Sequence, residues 1–154
     1  MKKFSILILS IALTAAMLSS CAKTKTDPFD PFVGDFKGTL SDSDIVTHQV
    51  VTRSGYPVNI NKLTSTRIGL GSDSAGLTDF YADVTISGAD MSGSIPGQTA
   101  DTITVQGIAV SSLGLPSGTT LAYTGATNEL VFGYRLGYTT ATGGRVLVFR
   151  GTKQ

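Results

Sequence analysis

Two segments of this chain alternate apolar and polar residues with a period of two, and no stretch beyond residue 20 has a helical period. In Asp79–Ser87, Phe80, Ala82, Val84 and Ile86 alternate with Asp79, Tyr81, Asp83, Thr85 and Ser87. In Glu129–Tyr138, Leu130, Phe132, Tyr134, Leu136 and Tyr138 share one face, and Val131, Gly133, Arg135 and Gly137 share the other. Side chains of a strand point alternately to its two faces, so this pattern specifies half-buried strands. Weaker segments fit the same rule: Gly34–Ser41, Asp44–Thr52, Pro57–Leu63, Thr66–Gly71, Ala89–Ile95, Thr102–Val110, Thr119–Gly125 and Arg145–Thr152. Turn signals fall at 54–57, 72–76, 87–88, 126–128 and 142–144, with a loop over 113–118. Apolar positions change face across Gly107, from Ile103 and Val105 to Ile108 and Val110, which predicts a bulge there. About ten short strands with no intervening helix predict an all-β antiparallel meander, closed as a barrel or folded as a β-sandwich. Closure is favoured because it removes unpaired edges.

Composition agrees. The chain has 154 residues and 18 glycines, and Glu129 is its only glutamate. Few helix formers and many turn formers suit strands joined by tight turns. The formal net charge is +1, and without Lys2 and Lys3 it becomes −1, so charge offers no case for nucleic acid.

The first 20 residues are of a different kind. Lys2 and Lys3 precede a run from Phe4 to Leu18 that is apolar apart from Ser5, Ser10 and Thr14. These are the parts of a secretory signal peptide, and the run is too short to span a hydrocarbon core of ~20 residues comfortably. Leu18-Ser19-Ser20-Cys21 resembles the lipobox of bacterial lipoproteins. The resemblance implies cleavage before Cys21, a diacylglyceryl group on its thiol, an acylated (palmitate-type) N-terminus and permanent membrane attachment. Cys21 is the only cysteine, so no internal disulfide forms. The expected organisation is a signal peptide over 1–20, a lipidated Cys and flexible tether over 21–31, and one β domain over 32–154. No Asp follows Cys21, where it would resemble an inner-membrane retention signal, so the expected location is the outer membrane. In the tandem Asp-Pro-Phe of 27–32, Phe29 and Phe32 are expected to plug one end of the core.

Gly34-Asp35-Phe36 opens the first strand and Phe149-Arg150-Gly151-Thr152-Lys153 closes the last. A Gly-x-aromatic start with a basic residue near the end resembles the lipocalin-like (calycin) barrels, and the style is similar to small lipocalin-like lipoproteins of the Bacteroidetes. In that family a Trp packs under an Arg at the closed end. The resemblance implies that Phe36 replaces the Trp and that Arg150 or Arg145 acts as the Arg.

Chemistry-bearing residues are sparse. His48, the only histidine, is placed on a strand face with Val46 and Val50, and is read as a surface residue rather than a general base. One His and a committed Cys exclude an ordinary zinc site. Asp79 and Asp83 stand ~13 Å apart along one strand, wider than a glycosidase pair. Asp42 and Asp44, with neighbouring serines, do not match a calcium loop. No enzyme activity, metal or cofactor is expected. Phe80, Phe132, Tyr134 and Tyr138 are expected to fill the core or line an apolar cavity, with Arg135 or Arg145 near its mouth to hold an acidic head group. Tyr56, Tyr81 and Tyr123 are a weaker candidate carbohydrate-stacking surface in a chain without Trp. The expected partners are the membrane, through the lipid, and either a small apolar or amphiphilic ligand or another envelope protein. The carrier reading requires an open core. The rival, an interaction lipoprotein, requires a packed core and an exposed apolar patch.

Overall fold

The computed structural model of the chain describes residues 26–72, 77–100, 103–109, 114–115, 117–138 and 144–154. The alternating segments form ten antiparallel strands: β1 (Gly34–Asp44), β2 (Val50–Lys62), β3 (Arg67–Ser72), β4 (Leu77–Ser87), β5 (Asp90–Ser94), β6 (Gln98–Ala100), β7 (Ile103–Gly107), β8 (Leu121–Thr124), β9 (Glu129–Tyr138) and β10 (Gly144–Lys153). Neighbours run β1-β2-β3-β4-β5-β8-β9-β10, and β10 returns to β1, so eight strands close into a ring. Phe36, Leu40, Val58, Ile60, Ile68, Leu70, Phe80, Ala82, Leu130, Phe132, Leu147 and Phe149 all point inward and are buried.

The two Phe-x-Gly motifs explain the closing seam. Gly38 of β1 lies opposite Gly151 of β10. A Cβ on Gly38 would stand 2.1 Å from the Arg150 carbonyl oxygen and 2.3 Å from the Gly151 Cα. No side chain fits between backbones that close, so Gly at both positions lets the first and last strands meet.

One end of the ring is stoppered by the lead-in. The Asp27 carboxylate accepts the Phe29 N–H at 2.9 Å and pairs with Lys62. Lys153 donates to the carbonyls of Asp30 (3.1 Å) and Pro31 (3.0 Å). Phe29 and Phe32 are thereby buried, and Phe32 meets the Tyr123 ring edge-on at 5.2 Å. Residues 27–31, grouped with the tether on sequence, are part of this stopper.

The structure moves several expected boundaries. The turn expected at 54–57 is strand. Gly55 has a φ of +68° and forms a bulge in β2, where the register jumps between Gly38/Tyr56 and Thr39/Ser54. A Gly with positive φ serves a bulge as readily as a turn, and sequence does not distinguish the two. The real reversal lies inside the expected strand 44–52. The Asp44 carboxylate accepts the N–H groups of Val46 (2.8 Å) and Thr47 (2.7 Å), and His48 takes a φ of +58°. Such a carboxylate offers the backbone an alternative to a ladder. His48 therefore sits exposed in a turn, not on a strand face. Gly107 ends β7 instead of bulging it, and the expected strand 89–95 stops at Ser94, with a separate strand β6 after Pro96.

β5 borders β4 only from Asp83 onward. Beside the earlier half of β4 lies β6, which is joined to it by a side chain. The Gln98 carboxamide accepts the Tyr81 N–H at 3.0 Å and donates to the Tyr81 carbonyl at 2.8 Å. One amide side chain thus reproduces both bonds of a missing backbone rung. Beyond β6, β7 pairs with the second half of β9, while β8 pairs with its first half.

Candidate functional site

The interior is the first place to look. Phe80 lies 4.8 Å from Tyr134 and 6.2 Å from Phe132, Phe132 lies 5.9 Å from Tyr134, and Phe149 stacks on Phe132 at 5.1 Å. These centroid separations are those of aromatic rings in contact. Phe80, Phe132 and Tyr134 therefore pack on one another as core and do not line an open chamber. The Tyr138 side chain and Cys21 fall outside the described residues. The Tyr134 hydroxyl is buried without a hydrogen-bond partner among the described residues, and burial pushes its pKa far up.

The arginines do not form a ring at a mouth. Arg145 faces inward at the end of the ring away from the stopper, where its Nε donates to Asp42 Oδ1 at 2.8 Å and its Nη2 pairs with Oδ2 of the same carboxylate. Asp42 is almost fully buried, so Arg145 neutralises an internal charge. Asp42 and Asp44 are thus engaged separately, one by Arg145 and one by the turn. Arg135 is exposed on the outer face, because it belongs to the other parity of β9 from Tyr134. Arg150 is also exposed, with its Nε 3.6 Å from Glu129 Oε1. Strand parity puts Arg150 outside when Phe149 is inside, so it cannot cover Phe36, and Lys153 is the basic residue at that end. Phe36 is buried and meets Tyr123 edge-on at 6.0 Å. Tyr56 and Tyr123 are core residues, which leaves Tyr81 as the one outward ring of the three considered for stacking.

Two outer features stand out. The first is the β1–β2 hairpin. β3 pairs with β2 only from Asn59 to Lys62. From Val50 to Ser54, β2 has β1 on one side and no strand on the other among the described residues. Val46, Val50 and Val51 there are 62%, 61% and 53% exposed. Sequence reasoning missed this edge because it broke β2 at residue 54; the run Val50-Val51 beside Val46 was the available signal. The second feature is a trough of about 380 Å³ on the outer face of β2, β3 and β4.

No protein-family model and no curated protein matches the chain. Among solved structures, it is similar to the crystal structure of a candidate outer membrane protein from Bacteroides fragilis, with a TM-score of 0.53 and 16% identity. The match covers 82% of this chain and 53% of that one, so this chain spans about half its length. At that identity the likeness is one of fold.

Proposed function

We propose that this is a lipid-anchored interaction protein of the cell envelope, non-enzymatic, which takes an extended segment of another envelope protein along the free edge of β2. The stretch Val50–Ser54, paired with β1 on one side and with no strand on the other among the described residues, carries this reading. An exposed edge presents backbone donors and acceptors that another chain can pair with, and exposed alternate side chains add apolar contact. Lys, Pro or a covering loop usually blunts such an edge, and here the stretch carries Val50 and Val51 beside Arg53, with no further strand over it among the described residues. The packed aromatic core favours this reading over internal transport of an apolar ligand.

The signal-peptide pattern and Cys21 support the anchor, and the likeness to a candidate outer membrane protein is in keeping with an envelope location. The anchor also fits the geometry. Six residues from Cys21 to Asp27 reach at most ~20 Å. Asp27 lies at the stoppered end, while the hairpin tip projects from the opposite end, with β1 running ~35 Å between them. The hairpin therefore points away from the lipid, toward proteins rather than the bilayer.

Two measurements test this. A photoreactive residue replacing Val51 in cells should give one discrete protein crosslink, absent from the same residue at Thr85 and lost when Val50 is changed to Lys. Equal products at Val51 and Thr85 would sink the edge-pairing idea. Native mass spectrometry of the full chain, after exposure to envelope lipid extract, should show no small-molecule adduct. A reproducible adduct would restore the carrier reading.

A further inference from the structure

The outer trough is built by absence of side chains. Gly69 and Gly71 alternate along the outward side of β3 and leave its floor bare. Asn61 of β2 and Asp79 of β4 lean in from either side. Their Oδ1 atoms each lie 2.2 Å from where a Cβ on Gly69 or Gly71, respectively, would stand. Asn59 and Tyr81 complete the walls.

The walls are held from behind. Asn59 donates to Asp35 at 2.7 Å. Gln98 bonds both the N–H and the carbonyl of Tyr81. The Arg67 guanidinium lies 4.2 Å from the Tyr81 ring centroid, and Asp83 fixes it at 2.7 Å. The aromatic ring is therefore preorganised at its backbone and at its ring. The Asn61 amide and the Asp79 carboxylate, by contrast, have no hydrogen bond or ion pair with any described residue.

The chemistry of these groups selects a ligand class. A carboxylate with no ion-pair partner among the described residues disfavours phosphate or another anion. No three His, Cys, Asp or Glu side chains gather among the described residues as a metal site would require. An apolar ligand would strand the amide and carboxylate without partners. A polyol satisfies them: the carboxylate accepts from one hydroxyl, the amide accepts from or donates to its neighbour, and an aromatic ring borders the C–H face of a sugar. We propose that the trough over Gly69 and Gly71 is a binding site for a neutral saccharide, with Asn61 and Asp79 holding neighbouring hydroxyls and Tyr81 beside the ring. The site is separate from the free edge of β2, so either can fail without the other.

The test is an array of defined neutral and acidic oligosaccharides, probed with the full chain in a detergent that has no sugar head group. Binding to at least one neutral glycan is expected. Asp79→Ala and Asn61→Ala, both at exposed positions, should each weaken it at least tenfold with the thermal transition retained. Gly71→Ala should do the same by pushing Asp79 aside, since the atom it meets is the end of a flexible side chain. No neutral glycan above background, binding confined to acidic glycans, or binding that survives these changes would overturn the proposal.

Discussion

Asp44 shows how much one side chain decides. Its carboxylate accepts two backbone N–H groups in the hairpin turn, and these hydrogen bonds, Thr47 first, hold its pKa below the usual 3.8. A carboxyl with a depressed folded pKa contributes stability above its unfolded value and loses it as pH falls through the folded value. The turn should therefore loosen below about pH 4, seen as movement of the Val46 and Thr47 amide resonances. Asp44→Asn keeps an acceptor and should abolish that titration while leaving the hairpin formed. Tyr134 gives a second case. Its hydroxyl is buried with no partner among the described residues. Because an unsatisfied buried hydroxyl costs about 1–3 kcal/mol, Tyr134→Phe should leave stability unchanged or raise it by about 1 kcal/mol in urea unfolding. A loss above that would mean the hydroxyl has a partner after all.

At the scale of elements, the seam between β4 and β6 rests on Gln98. Removing its carboxamide strands the N–H and the carbonyl of Tyr81 together. Gln98→Ala should cost about 1–3 kcal/mol and raise hydrogen exchange at the Tyr81 amide first. Unchanged exchange there would show that the backbones of β4 and β6 pair without it. The strongest strands, β4 and β9, were legible because their large apolar side chains recur at every second residue, although Val131 on the other face of β9 is buried too. β2 was not, since Gly55 carries the same signal for a bulge as for a turn. β6 is only three residues long, too short for any period to register.

For the whole molecule, the decisive contact is between the first strand and the last. The Arg145–Asp42 pair spans 103 residues, and Gly38 meets Gly151 across the same seam. Gly38→Ala would drive a Cβ into backbone, which cannot move aside as a side-chain tip can. It should cost about 1–3 kcal/mol or more and lower the thermal midpoint. Gly97→Ala, with nothing within 4 Å of the added carbon, should be close to neutral. Equal midpoints for the two variants would show that the seam is looser than its geometry.

Period-two alternation, glycine-rich turns and the lack of helical stretches determined by themselves that the chain is all-β and antiparallel, with about ten strands. The Asp-Pro-Phe repeat placed Phe29 and Phe32 at one end of the core, and the family resemblance placed Phe36 there. The alternation is a local property, because the face a strand residue occupies follows from its parity. Parity likewise set Arg135 on the opposite face from Tyr134 and Arg150 on the opposite face from Phe149. Tertiary structure decided that the ring closes between β1 and β10. It also decided that Asp42 would be the buried partner of Arg145. Sequence grouped Phe80, Phe132 and Tyr134 correctly, but whether such rings enclose space or fill it depends on ring radius and packing. The trough and the free edge of β2 were equally out of reach. One exists because two glycines and three strands lie side by side, and the other because β3, running antiparallel to β2, ends at Ser72 before it draws level with Val50–Ser54.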